Sequence, residues 1–395
     1  MLDQQALDYI AAQEQEALAL LKEIAQIPAP SGKEELRAQF CKDWLTAHGA
    51  EGVFIDEALN VIYPVGVEDG KPVMVFAAHT DVVFPDETPL PLKEENGRIC
   101  CPGVGDDTAC LVSLMTAARY VAEQKIRPEG CGILFVCNSG EEGLGNLKGS
   151  RQICRDYGDR MKAFVSFDSP LEHLTNRAVG SQRYRLRVRT RGGHSYSNFG
   201  GKNAIAELSR IIGMFYDMQV PTGGKTTYNV GMISGGTSVN TIAQEAEALY
   251  EFRSDCREDL AIMERGFLDV MEKVGGRPAE QAGEAAAAQG TLDPQAVVVE
   301  YETVGIRPCG GDVDPAAQEA LEQCAREAVM GAVGRYPSAN SASTDCNIPL
   351  SMGIPSVCVG SYFGSGAHTR EEYIEADSLR HGLRVALDMV LAYCK

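Results

Sequence analysis

Short, nearly continuous apolar runs alternate with helically spaced segments over most of the chain. Residues 5–26 repeat Ala6, Ile10, Ala17, Leu20, Leu21 and Ile24 at the period of one helix face and predict an amino-terminal helix. The turn Pro28-Ala29-Pro30-Ser31-Gly32 ends it, and a second helix is expected over about 33–48. The runs at 73–78, 133–137, 163–167 and 355–360 have the length and apolarity of strands covered on both faces, as in parallel sheets. Segments 107–124 and 314–332 between them carry helical spacing. This alternation predicts an α/β fold, a mixed, mostly parallel sheet flanked by helices.

A different texture begins near residue 177. From Ser181 to Arg189 polar and apolar residues alternate, with arginines on one face, as expected of a half-solvated strand. A helix at 202–217, strands at 226–233 and 246–254, a helix at 257–274 and a strand at 297–304 follow. That order predicts an α+β split-βαβ sandwich. Residues 177–308 hold 15 Lys/Arg against 16 Asp/Glu, while the rest of the chain holds 21 against 39. The acidity therefore belongs to the flanks, read as one discontinuous domain (1–176 plus 309–395) interrupted by an insert at 177–308. The stretch 279–290 is expected to be an exposed loop.

The chain has 395 residues, 44% apolar and 23% charged, with 36 Lys/Arg against 55 Asp/Glu and a formal charge of −19. Such a surface repels nucleic acid and anionic membranes. No apolar stretch reaches the roughly 18–20 residues of a membrane span. The start, Met1-Leu2-Asp3-Gln4-Gln5, has neither a basic nor an apolar leader region. The 13 cysteines are odd in number and form no C-x-x-C pair, so reduced thiols and a cytoplasmic location are expected. Adjacent cysteines such as Cys100 and Cys101 are poorly placed to chelate one ion.

The chemistry gathers at the strand ends. The run 73–78 leads into His79, Thr80 and Asp81; 133–137 leads through Asn138, Ser139 and Gly140 to Glu141 and Glu142; 163–167 ends at Asp168; and 355–360 leads through a glycine-rich loop to His368. Asp106 and Asp107 follow the turn Pro102-Gly103-Val104-Gly105 and open a helix. Ligands of open α/β sheets bind at the carboxyl ends of strands. Two imidazoles and several carboxylates converging there suit Zn²⁺ or a similar divalent ion.

His79-Thr80-Asp81, Gly105-Asp106-Asp107, Glu141-Glu142-Gly143, Asp168 and Gly366-Ala367-His368-Thr369 resemble, in order and spacing, the M20 family (M20/M25/M40) of metallopeptidases and N-acyl-amino-acid hydrolases. The resemblance extends to the insert, where Gly192-Gly193-His194-Ser195 and Gly200-Gly201-Lys202-Asn203-Ala204-Ile205 look like that family's lid or dimerisation domain. It implies two Zn²⁺ per subunit, with Co²⁺ or Mn²⁺ as substitutes. His79, Asp106 and Asp168 would hold one ion; Asp106, Glu142 and His368 would hold the other, with Asp106 shared. It further implies Glu141 as general base for hydroxide attack, Asp81 as the group orienting His79, and a cis peptide between Asp106 and Asp107. His194 would stabilise the oxyanion from across a homodimer formed through the lid, Asn240 would contact substrate, and Arg253 would grip a substrate carboxylate. The alternative reading of Arg253 is a surface ion pair, and Arg191 is a further candidate for its role. Ser343 to Asn347 resembles a pocket-lining segment, in which Asp345 could equally be a helix cap. His48 reads as a cation closing a helix, and His173 and His381 as surface residues.

This chain departs from the family pattern in having Thr108 where a lysine is common, and Glu251 where an aspartate often precedes the lid arginine. The expected activity is hydrolysis of an amide bond beside an amino-acid carboxylate. Small peptides are favoured, by similarity of the carboxyl-terminal motifs to tripeptide aminopeptidases, with N-acetyl or N-succinyl amino acids as the alternative. A dinucleotide-dependent oxidoreductase is disfavoured, because no G-x-G-x-x-G follows the first strand and Asp106 and Asp107 would meet the pyrophosphate. A binding protein without turnover is disfavoured by the intact Glu141.

Overall fold

The computed structural model describes residues 2–281 and 292–394. The chain forms two compact units, Met1–Ala178 with Gly310–Lys395, and Val179–Cys309. The expected divisions after residues 176 and 308 fall two residues and one residue earlier. Of the expected loop at 279–290, Ala279–Gln281 form a short 3-10 turn and the remainder lies outside the described residues.

The first unit is built on an eight-stranded sheet. Its order is Phe54–Ile55, Val61–Val65, Gly132–Asn138, Val73–His79, Met161–Phe167, Ser356–Val359, His173–Ala178, Ser338–Ala342. The four apolar runs are its central, mutually parallel strands. Alternate side chains explain their composition. Met74, Phe76 and Ala78 pack with Leu111, Leu114 and Leu383, from the helices Cys110–Glu123 and Leu379–Ala392, on one face. Val73, Val75 and Ala77 pack with Ile153, Ile348 and Leu350 on the other. With helices on both sides, these strands are almost wholly apolar, the buried Ser166 and Ser356 being small exceptions.

Two helices of this unit start at a side-chain cap. The Asp3 carboxylate accepts the Ala6 N–H at 2.9 Å at the head of Gln4–Ala25. Asp314 does the same for Ala317 at 2.9 Å, ahead of Pro315–Val333 with proline in its first turn. A small sheet of Gly364–Ser365, Tyr373–Glu375, Arg98–Cys100 and Lys93–Glu95 projects the loop 366–372 from its first hairpin.

The second unit is a five-stranded sheet in the order Thr226–Gly235, Glu245–Ser254, Gly180–Thr190, Val297–Arg307, Arg277–Pro278. Helices Ala204–Tyr216 and Arg257–Lys273 cover one face, where Tyr184, Leu186 and Phe252 meet Leu208, Phe215 and Phe267. Tyr184 and Phe267 stack at 3.8 Å between ring centroids. On the opposite face Arg185 pairs with Glu302 at 2.7 Å, Arg187 with Glu247 at 3.2 Å, and Arg189 with Glu300. This ladder of ion pairs accounts for the near-neutral balance of the insert. Among the described residues no helix is long and apolar enough to cross a membrane.

Candidate metal centre

Three of the parallel strands, Val73–His79, Gly132–Asn138 and Met161–Phe167, end along one edge of the sheet. His79 is the last residue of the first, Glu141 and Glu142 follow the second, and Asp168 follows the third. His368 reaches the same edge on the 366–372 loop, with φ +64°. Asp106 arrives on the turn before helix Cys110–Glu123. There Gly103 has φ +77°, and a Cβ on it would lie 2.5 Å from Val82. The Asp106–Asp107 peptide is cis.

The Asp106 carboxylate sits between the two imidazoles. Its Oδ1 lies 3.0 Å from His79 Nε2, and its Oδ2 lies 3.1 Å from His368 Nε2. Asp168 Oδ1 is 3.9 Å from His79 Nε2, and Glu142 Oε1 is 3.0 Å from His368 Nε2. His79, Asp106 and Asp168 therefore form one group of three donors, and Asp106, Glu142 and His368 another, each with its ligating atoms within 4.8 Å of one another. Each group offers one nitrogen and two carboxylates, a donor set that fits Zn²⁺ and similar divalent ions. Such a concentration of acid leaves its mark on every member. Burial and the charge of Asp106 push Glu142 up to about 7. Burial, Asp106 and Asp107 hold Asp168 well above the ordinary carboxylate range. Burial works in the same direction on Asp106, but hydrogen bonds from His368 and His79 overcome it and hold that carboxyl low. Hydrogen bonds to Asp106 and Glu142 raise His368 to about 10. A cation is the natural complement of such a cluster.

Around these residues is a scaffold of buried hydrogen bonds. His79 Nδ1 faces the Asp81 main-chain carbonyl at 3.0 Å, closer than the Asp81 carboxylate at 3.4 Å. The carbonyl can only accept, so Nδ1 carries the proton and Nε2 is turned to the centre. Asp81 was expected to orient His79 through its carboxylate; here the main chain is the nearer partner. The carboxylate accepts the main-chain N–H groups of Glu141 at 2.9 Å and Glu142 at 3.0 Å, and the Ser31 hydroxyl at 2.7 Å. Glu141 is buried beside His79 and Glu142. Asp107 accepts the His79 N–H at 2.8 Å. Thr108 is buried, and its hydroxyl donates to the Gly103 carbonyl at 2.6 Å, closing the turn.

The other expected residues belong to the second unit. Gly193 and His194 pair with Ile242 and Thr241 in a two-residue ladder, and the Ser195 N–H donates to the Asn240 carbonyl at 3.0 Å, so the His194 and Asn240 loops form one structure. They border a hollow of about 570 Å³ lined by Gly193, Gly236, Thr241 and Glu245, among others. His194 Nδ1 accepts N–H groups of Tyr196 at 3.2 Å and Ser197 at 3.3 Å. Arg253 Nε and Nη2 engage the two oxygens of Glu251 at 3.0 and 3.1 Å.

Some residues stand differently from expectation. Asp345 is fully buried and caps no helix: its Oδ2 accepts from Asn138 Nδ2 at 2.6 Å, and the helix Asn347–Ser351 begins after Cys346 without a side-chain cap. His381 is half-buried, with Nδ1 2.9 Å from the Ala332 carbonyl. His48 closes its helix as expected and stacks on Trp44 at 4.0 Å. Two buried groups beside the site escaped the sequence reading. Arg37 donates to the carbonyls of Ile27 and Thr80, the latter at 2.8 Å. Glu372 accepts three main-chain N–H groups of the turn that carries Asp106. Neither lies at the end of an apolar run, the signal that disclosed His79 and Asp168.

The chain is similar to several known proteins. A probable carboxypeptidase of Trichophyton verrucosum is 26% identical over 269 residues, covering 59% of this chain and 57% of its own length. The succinyl-diaminopimelate desuccinylase of Bordetella pertussis is 29% identical over 205 residues, covering 47% of this chain and 53% of its own. The chain thus spans little more than half the length of these relatives. A tripeptidase structure from Staphylococcus aureus superposes with a TM-score of 0.72 over 96% of this chain and 98% of that one, at 22% identity, which shows a shared fold. Residues 75–392 match Peptidase family M20/M25/M40, and the chain belongs to that family.

Proposed function

We propose that the protein is a two-metal hydrolase that cleaves the amide bond of small peptides beside an amino-acid carboxylate. The observation that carries this reading is the Asp106 carboxylate, with one oxygen 3.0 Å from His79 and the other 3.1 Å from His368. His79, Asp106 and Asp168 would hold one Zn²⁺, and Asp106, Glu142 and His368 the second, with Co²⁺ or Mn²⁺ as substitutes. Bound there, such ions supply Lewis acidity and bring the pKa of water toward ~7.

The chain's own residues do the rest. Glu141, its main chain fixed by Asp81, takes a proton from the attacking water and delivers it to the leaving nitrogen. Because His194 Nδ1 accepts two N–H groups, its proton resides on Nε2, which makes it a donor for the oxyanion of the tetrahedral intermediate. Glu251 orients the Arg253 guanidinium, whose Nη1 then serves a substrate carboxylate, and Asn240 contacts the substrate from the paired loop. We assign His194 to the partner subunit's reaction, in a homodimer formed through the insert. The edge strand Thr226–Gly235 exposes Met232 and Ile233, and the neighbouring helix exposes Met214 and Tyr216, apolar groups suited to that contact. The 13 cysteines, all free, suit a reducing cytoplasm.

N-acyl amino acids are the alternative substrates, favoured by the similarity to a desuccinylase. Di- and tripeptides assayed beside N-acetyl and N-succinyl amino acids, with and without a chelator, test both readings. Hydrolysis of free-amine peptides that stops with chelator and returns with Zn²⁺, Co²⁺ or Mn²⁺ is the expected result. Preference for blocked amines assigns a deacylase, and full activity in chelator removes the metal mechanism.

A further inference from the structure

We infer that Glu372 is a positioning residue that holds the Asp106 carboxylate in register with His368, and so sets the geometry of both donor groups. The inference rests on the reading of Asp106 as the shared ligand. Glu372 is 2% exposed. Its Oε2 accepts the Gly103 N–H at 2.7 Å, and its Oε1 accepts the N–H groups of Gly105 and Asp106, both at 2.8 Å. Its main-chain carbonyl accepts the Cys101 N–H at 3.1 Å. One residue thus binds the segment 101–106 through side chain and main chain together.

The same residue lies four positions after His368, on the loop that brings that imidazole to Asp106 Oδ2 and Glu142 Oε1. At the other end of that loop, a Cβ on Gly366 would lie 3.0 Å from the Glu372 Cα, so the loop is folded tightly back on itself. The turn and the loop are otherwise far apart in the chain, and each carries a donor of the Asp106, Glu142 and His368 group. Three hydrogen bonds donated by the turn's own N–H groups to one buried carboxylate fix its main chain, and with it the direction of the Asp106 side chain. Since Asp106 belongs to both groups, displacement of this turn disturbs both. Groups that orient ligands in this way typically change metal affinity by about 10–100-fold when replaced.

The test is cobalt titration of the full chain, following the visible d–d spectrum and heat of binding, for the unaltered protein, Glu372→Gln and Glu372→Ala. Melting curves establish that each variant is folded. The amide oxygen of glutamine can accept from Gly105 and Asp106, while its NH₂ group opposes the Gly103 N–H. The expected order is therefore two equivalents bound by the unaltered protein, affinity reduced by about 10–100-fold with shifted bands in Glu372→Ala, and an intermediate loss in Glu372→Gln. Should the alanine variant fail to fold, the glutamine variant decides by the same criteria. A folded variant that binds two equivalents with unchanged affinity and spectrum overturns the role of Glu372 and leaves the metal centre standing. An unaltered protein that binds no cobalt overturns the metal reading itself, and this inference with it.

Discussion

The Asp81 carboxylate receives the main-chain N–H of Glu141 at 2.9 Å, across the gap between two parallel strands. Its second oxygen takes the Glu142 N–H and the Ser31 hydroxyl. Asp81→Asn would turn an NH₂ group toward one of these donors. The expected outcome is a loss of about 1–3 kcal/mol in unfolding free energy, as for a buried polar group without a partner. A 10–100-fold fall in kcat should accompany it, by analogy with other orienting groups. Denaturant titration and steady-state kinetics measure the two effects, and an Asn variant equal to the parent in both refutes the assignment.

Glu141 itself is given the proton-transfer role. Glu141→Gln keeps the shape and the main-chain hydrogen bond to Asp81 but removes the base, so kcat should fall by about 10²–10⁴-fold. Metal content, read by elemental analysis, should stay at the parental value, since neither proposed ion is assigned to Glu141, although its carboxylate also lies within 4.8 Å of donor atoms of His79 and Glu142. Undiminished turnover would return the base assignment to another residue.

Arg37 is 1% exposed, and its guanidinium bridges the carbonyls of Ile27 and Thr80. Burial draws its pKa down to about 10. Arg37→Leu strands both carbonyls away from water, at a cost of about 1–3 kcal/mol for each. A marked drop in melting temperature is expected. Arg37→Lys should recover only part of it, because an ammonium cannot reproduce the planar fork. A leucine variant as stable as the parent would show that the two carbonyls find other partners.

Burial lowers the pKa of His381 below that of a free imidazole; the Ala332 carbonyl opposes this, Arg380 and Arg384 reinforce it, and Glu14 opposes it weakly. Its proton is therefore held more tightly by the unfolded chain than by the folded one. The contribution of this site to stability is complete above the unfolded value of about 6.5 and is lost as pH falls through that value toward the folded one. His381→Asn should flatten this part of the profile. Urea unfolding of parent and variant at several values between pH 5 and 8 measures the difference, and parallel profiles contradict it.

The central strands were legible because Phe76, Phe135 and Val165 belong to nearly continuous apolar runs in which both faces are covered. His79 and Asp168 were legible for a related reason: a His or Asp directly after such a run stands at the carboxyl edge of the sheet. His173–Ala178 and Ser338–Ala342 were not recognised as strands. Their residues Thr175, Asn176, Asn340 and Ser341 are polar, and what makes them strands is the ladder to their neighbours. Arg37 and Glu372 were missed because their partners are carbonyls and N–H groups, which carry no mark in a sequence. Asp345 looked like a cap because it precedes a helix, yet burial turned its carboxylate to Asn138 on a distant strand.

The strand Ser356–Val359 completes the centre of the first sheet between Met161–Phe167 and His173–Ala178, yet it follows the whole 179–309 unit in the chain. A polypeptide emerging from the ribosome presents His79, Asp106, Glu142 and Asp168 long before residue 368 appears. The insert, being contiguous, has all its own strands in hand by then. During synthesis the first sheet therefore lacks one of its central strands until the insert has been made. His368 and Glu372 come about 200 residues after Asp168, on the order of 10–40 s at elongation rates of about 5–20 residues per second.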